Sequence, residues 1–235
     1  MGVQWAVPGP AIYYSADGDI NTSAAFKPVL LMKHTNVNDD PLLRSRYLKE
    51  EATALIHQAG LDSILRRYGN LHYTGSYFLD LMAWPDLDIE LSLDPDPFSL
   101  DAFFDLGGAI AQACVVSWMT FHNRVWFRPF EHIPSGLYWN IRVEDDAFTE
   151  AWNIDLWSFE PSVLEANWQQ MQKTAAAIDE PKRRMMIELK HSLLTEKGRT
   201  PRFSGYHIYQ AVLFKGLTRR EEIIRYLRDN GVDVT

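Results

Sequence analysis

One stretch constrains the fold more than any other. Asp86-Leu87-Asp88-Ile89-Glu90-Leu91-Ser92-Leu93 alternates polar and apolar residues with period two. That pattern specifies a β-strand with one dry and one wet face. Asp86, Asp88 and Glu90 then point to the same side. Three carboxylates on one strand face repel one another. Water tolerates that arrangement, and a bound cation turns it to advantage. Hard oxygen donors beside a phosphate are what Mg²⁺ prefers.

Nine residues upstream lies Gly75-Ser76, after a short apolar stretch, Leu71 to Thr74, and before an expected helix start. Glycine lets backbone approach a phosphate without a Cβ in the way. A helix start offers free N–H groups, and the serine hydroxyl can donate one more bond. Further on, Trp152-Asn153-Ile154-Asp155-Leu156-Trp157 places a lone acid between apolar neighbours on another expected strand. If that strand neighbours the first, Asp155 completes a three-acid site.

The rest of the chain supplies a frame for this constellation. Asp40-Pro41 suits a helix cap and first turn, and apolar residues recur at helical spacing until Gly60. Ser99 to Met119 is apolar and long enough for one buried helix. Asn123 to Phe130, Leu137 to Glu144 and Trp152 to Phe159 read as strands. Four helical segments follow, Pro161–Ile178, Lys182–Thr195, Gly205–Phe214 and Thr218–Asn230. The expected class is α+β, a mixed sheet flanked by helices and followed by a helical bundle. The expected division is an irregular arm over 1–38, a catalytic domain over 39–160 and a helical domain over 161–235.

Composition narrows the chemistry. The single cysteine, Cys114, excludes an intramolecular disulfide or a cysteine zinc cluster. The seven histidines show no metal-ligand pair at i, i+4. No apolar run approaches the ~20 residues of a membrane span, and no secretory signal opens the chain. A soluble cytoplasmic protein is the expectation. The net charge of -8 divides unevenly. Residues 1–178 hold 11 basic and 23 acidic side chains, and residues 179–235 hold 12 and 8. An acidic body argues against broad nucleic-acid binding. An acidic site with a basic wall suits a metal-bound polyphosphate, and a solvated helix face explains the basic tail equally well.

The string Thr74-Gly75-Ser76, nine residues, then Asp86-Leu87-Asp88-Ile89, with Asp155 as a later acid, resembles the signature of the DNA polymerase beta-type nucleotidyltransferase superfamily. The helical tail is similar in kind to the substrate domains of small antibiotic-type nucleotidyltransferases. The resemblance implies a mixed sheet packed on helices, two Mg²⁺ ions and a nucleoside triphosphate co-substrate. It implies transfer of a nucleoside monophosphate to the hydroxyl of a small acceptor. Asp86, Asp88 and Asp155 would be the catalytic and metal-binding acids, and Gly75 and Ser76 the phosphate cradle. Glu90, Glu144 and Asp145 are the candidates for the general base, and Arg142 for neutralising the triphosphate. The superfamily also includes silent members, so a nucleotide-binding or toxin–antitoxin-type regulatory module is the alternative reading.

Overall fold

The structure is a computed structural model describing residues 39–127, 134–195 and 197–234. The expected arm over 1–38 lies outside the described residues. The first helix, α1 (Pro41–His57), starts as the sequence indicates. The Asp40 carboxylate accepts hydrogen bonds from the Leu42 and Leu43 amides, and Pro41 occupies the first turn. A short helix, α2 (Leu61–Leu65), leads to β1 (Gly69–Tyr73), the one-turn helix α3 (Gly75–Leu79) and β2 (Asp86–Leu93).

The expected helix over Ser99 to Met119 is shorter than the sequence suggested. Helix α4 spans Leu100–Ala113, and Cys114 is already extended. Strand β3 (Val116–Asn123) takes the remainder, and the strand expected over Asn123 to Phe130 is displaced towards the N-terminus. Residues 124–127 form a turn and an irregular tip, and 128–130 lie outside the described residues. The reason is local. Val115 and Val116 are β-branched, and Trp118, Thr120 and Phe121 favour a pleated surface over a helix. Strands β4 (Leu137–Val143) and β5 (Trp152–Ser158) follow, then α5 (Pro161–Ala176), α6 (Glu180–Ser192), α7 (Ser204–Tyr209), a π-helical turn over Gln210–Phe214, and α8 (Arg220–Asp229). Helix α7 opens on Ser204-Gly205, and Ser204 is buried.

The five strands form one mixed sheet in the order β1-β2-β5-β4-β3. Only β2 and β5 run parallel; the other pairs are antiparallel. The protein is therefore an α+β fold of a mixed sheet with flanking helices. Register sorts the side chains into two faces. Leu87, Ile89, Leu91, Ile141, Ile154 and Leu156 pack with Leu55 and Ile56 of α1, Leu65 of α2 and Phe103 and Ile110 of α4 in the main apolar core. The opposite face carries the polar residues of β2, β5 and β4. A second apolar cluster joins Met186 and Leu189 of α6 to Ile208, Val212 and Leu227, and reaches back to Leu79, the last residue of α3, and to Leu81 just beyond it. No helix among the described residues is long and apolar enough to cross a membrane.

Candidate active site

The parallel pairing of β2 and β5 puts Asp88 directly opposite Asp155, and Asp86 opposite Asn153. Opposed residues share a face of the sheet, so all three acids stand on the side away from the main core. Glu90 follows on the same face, opposite Trp157.

A hydrogen-bond network holds two of the acids. Asn153 Nδ2 donates to Asp86 Oδ1 at 2.8 Å and to Asp155 Oδ1 at 3.2 Å. Asn140, opposite Asp155 on β4, donates from Nδ2 to Asp155 Oδ1 at 2.5 Å and to Asn153 Oδ1 at 2.8 Å. The Tyr138 hydroxyl donates to the same Asp155 oxygen at 2.6 Å. Three donors therefore converge on Asp155 Oδ1.

Burial and like charge act together on the β2 acids. Burial, with the charges of Asp88 and Asp155, pushes Asp86 well above the usual carboxylate range. Asp88 is pushed up to about 7 by burial and by Asp155 and Glu90. Burial also raises Glu90, against the opposing hydrogen bonds from Asn167 and Thr74. These are carboxylates held where their charged form is costly, a condition a nearby cation relieves.

Gly75 sits against this group. Its φ of +57° lies in the left-handed region, and a Cβ built on it would fall 1.8 Å from Asp88 Oδ2. Both the conformation and the space exclude a side chain there. The adjoining strand is tied in as well, because the Thr74 amide donates to the Asp88 carbonyl at 2.9 Å. Helix α3 is only five residues long. The helix-dipole contribution expected from sequence is correspondingly small.

Lys190 is the residue the sequence reading missed. It is 3% exposed. Its Nζ donates to the Leu81 carbonyl at 2.6 Å and to the Tyr209 hydroxyl at 3.1 Å. Its positive charge opposes the upward shift of both Asp86 and Asp88. Seven residues earlier on α6, Arg183 donates to the carbonyls of Leu79 and Asp80 and pairs with the Asp80 carboxylate at 2.9 Å. Helix α6 thus grips the segment between Gly75 and Asp86 at two points. Arg183 belongs to the basic tail; its neighbours Lys182 and Arg184 pair with Asp179, the cap of α6, and with Glu188 on the same helix. Lys190 had one visible signal: it lies four residues after Met186, on the buried stripe of α6.

The other base candidates are less well placed. Glu144 is exposed and lies 3.7 Å from Arg142, the pairing that competes with a role for Arg142 towards phosphate. Asp145 accepts from the Ala147 amide and acts on the thiol of Cys114, which belongs to the main core.

Among the described residues, no group of three or more His, Cys, Asp or Glu side chains is gathered to hold a metal ion. The chemistry of the donor set nevertheless fits a hard divalent cation. Asp86 and Asp88 offer carboxylate oxygens whose mutual repulsion a cation would offset, and Asp155 adjoins them.

Among solved structures, the chain is similar to a cytoplasmic RNA terminal U-transferase, with 17% identity and a TM-score of 0.49 over 73% of this chain and 49% of that one. It is also similar to the poly(A) polymerase complex GLD-2–GLD-3, with 11% identity and a TM-score of 0.47 over 86% of this chain and 62% of that one. The chain spans about half the length of the first and under two thirds of the second. Likeness at this level carries neither an activity nor a substrate to this chain. No family model and no curated protein matches the sequence.

Proposed function

We propose that the protein is a metal-dependent nucleotidyltransferase that moves a nucleoside monophosphate from a nucleoside triphosphate to an acceptor hydroxyl. One observation carries this reading. Asp88 and Asp155 oppose each other on the polar face of the sheet, with Gly75 pressed against the Asp88 carboxylate. In the reaction, the acceptor hydroxyl gives its proton to a base and its oxygen forms a bond to the α-phosphorus. The bond from that phosphorus to the bridging oxygen of the β-phosphate breaks, and pyrophosphate leaves with the electron pair.

Asp86, Asp88 and Asp155 would hold Mg²⁺, two ions in the fullest version. When bound, the metal supplies charge neutralisation and a lowered acceptor pKa. The chain's own residues do the remainder. Gly75 and Ser76 would receive the phosphates through backbone amides and a hydroxyl. Tyr138, Asn140 and Asn153 fix the Asp155 carboxylate by its Oδ1. Lys190 contributes a positive charge that acts on Asp86 and Asp88. Glu90 is the best-placed of the three base candidates, since it shares their strand face.

A small hydroxylated acceptor and the end of a nucleic-acid strand both present the required hydroxyl. The RNA named for the U-transferase neighbour belongs to the second class. The stacked rings of Tyr138 on β4 and Trp157 on β5, beside Asp155, favour that class over the small acceptor. The silent alternative, a nucleotide-binding regulatory module, draws support from Asp155, whose Oδ1 is already taken by three donors.

The experiment is direct. The full chain is incubated with each nucleoside triphosphate, Mg²⁺ and a mixture of hydroxylated acceptors including short RNA, and pyrophosphate release is measured. Release that vanishes in Asp88→Asn supports transfer. Mg²⁺-dependent thermal stabilisation by a triphosphate without release from any acceptor supports the silent module.

A further inference from the structure

The polar face of the sheet continues beyond Asp155 as a row of rings. Tyr138 on β4 and Trp157 on β5 are stacked, with centroids 4.4 Å apart and planes inclined by 25°. Trp157 stacks in turn on Phe159 at 5.2 Å. On β3, the His122 ring lies 5.4 Å from Tyr138. The guanidinium of Arg124 sits 5.8 Å from the Tyr138 ring and 5.9 Å from the Trp157 ring. Its Nε is buried and has no hydrogen-bond partner among the described residues.

The row ends in an open cavity of about 560 Å³ lined by His122, Arg124, Trp126 and Phe127 among others. Trp126 is 87% exposed and Phe127 73%. Two adjacent aromatic side chains this exposed do little for the chain's own core. Such a patch, rimmed by a cation and lying beside a catalytic face, marks a binding surface.

We infer that this cavity binds a base of a single-stranded nucleic acid whose terminal hydroxyl is the acceptor at Asp155. The inference rests on the nucleotidyl-transfer reading and names its acceptor class. Aromatic side chains stack on any base, and arginine adds a cation–π contact and a partner for phosphate. A duplex keeps its bases stacked on each other and unavailable to such rings. The spacing is suitable. Strand β3 lies two strand intervals from β5, roughly 10 Å at about 4.8 Å each. Stacked nucleotides rise about 3.4 Å each. Asp155 is level with Thr120 of β3 through Asn140, and the polar-face residues of the cavity begin two residues further along at His122, so a base there stands at least about three nucleotides behind a hydroxyl at Asp155. With a net charge of -8 the chain as a whole does not attract phosphate, so stacking rather than phosphate contact carries the affinity, with a shallow dependence on salt.

The test uses the full chain and a fluorescein-labelled, single-stranded RNA of twelve mixed nucleotides, followed by anisotropy without triphosphate. Saturable binding is expected, and Trp126→Ala and Arg124→Ala should each weaken it about tenfold. Trp126 is so exposed that its replacement leaves the fold intact, and melting curves check this. Absence of binding up to about 100 µM protein, the weak end of nonspecific affinity, overturns the inference. Equal binding by Trp126→Ala does so too, as does equal competition by the matching duplex or by a free nucleoside monophosphate. Triphosphate-dependent melting shifts with Mg²⁺ are recorded on the same variants and should not change. Loss of RNA binding with that shift intact removes the acceptor site alone. RNA binding without any such shift in the wild-type chain removes the transfer reading and leaves the base-binding surface standing.

Discussion

Gly75 and Asp88 are packed so closely that a methyl group on the first would overlap the carboxylate of the second, 1.8 Å from its Oδ2. The contact joins the turn after β1 to the strand that carries the acids. Gly75→Ala should therefore act twice. A left-handed φ costs a non-glycine residue about 1–2 kcal/mol, and Asp88 must move to make room. The expected result is a melting temperature lower by roughly 2–8 °C, together with loss of the Mg²⁺-dependent shift given by a triphosphate. A variant that melts and responds like wild type would separate Gly75 from the site.

The charged form of Asp88 is costly in the folded protein, because its pKa is pushed up to about 7 by burial and neighbouring acids. Between the ordinary carboxylate range and about 7, the folded state binds more protons than the unfolded one. Stability then falls as pH rises through that window and stays low above it. Metal-free protein should melt at a higher temperature at pH 5.5 than at pH 8. Asp88→Asn should flatten the difference and raise the pH 8 value while abolishing transfer. Added Mg²⁺ should help wild type more at pH 8 than at pH 5.5. Identical pH profiles for wild type and Asp88→Asn would contradict this.

Lys190 offsets part of that cost. Lys190→Met keeps most of the volume but removes the donor to the Leu81 carbonyl and the positive charge that acts on Asp86 and Asp88. An unsatisfied buried carbonyl costs about 1–3 kcal/mol. The melting temperature should fall at every pH, and fall further at pH 8, where both acids call for the missing charge. Calorimetry at pH 5.5 and pH 8 measures it; an equal drop at both would confine Lys190 to a packing role.

The sheet's acids were legible because period-two patterning leaves no freedom: Asp86, Asp88 and Glu90 share a face once the segment is a strand. Asp155 was legible as a lone acid among apolar residues, but its place opposite Asp88 depends on the parallel pairing of β2 with β5, which no local pattern encodes. The β3 segment was misplaced for a related reason. Apolar residues run through α4 into β3 without a proline or glycine between Cys114 and Met119, and helix and strand look alike in such a run. Lys190 and the aromatic row stayed hidden because they arise from contacts between distant segments. Tyr138 meets Trp157, and Lys190 meets Leu81, only after the chain has folded.

Tyr138 links the rings to the acids, since its ring stacks on Trp157 while its hydroxyl donates to Asp155 at 2.6 Å. The two roles can be separated. Tyr138→Phe keeps the ring and removes only the donor. Asp155 Oδ1 would still accept from Asn140 and Asn153, so the carboxylate stays in place with one restraint fewer. Supporting bonds of this kind typically carry a factor of about 10–100 in activity. The expected outcome is a kcat lowered about tenfold or more with KM for the triphosphate little changed, and RNA anisotropy near wild type because the stack survives. Tyr138→Ala removes both and should lower kcat and weaken RNA together. Should Tyr138→Phe transfer at the wild-type rate, Asp155 needs no help from its neighbour. The positioning role would then rest on the two asparagines.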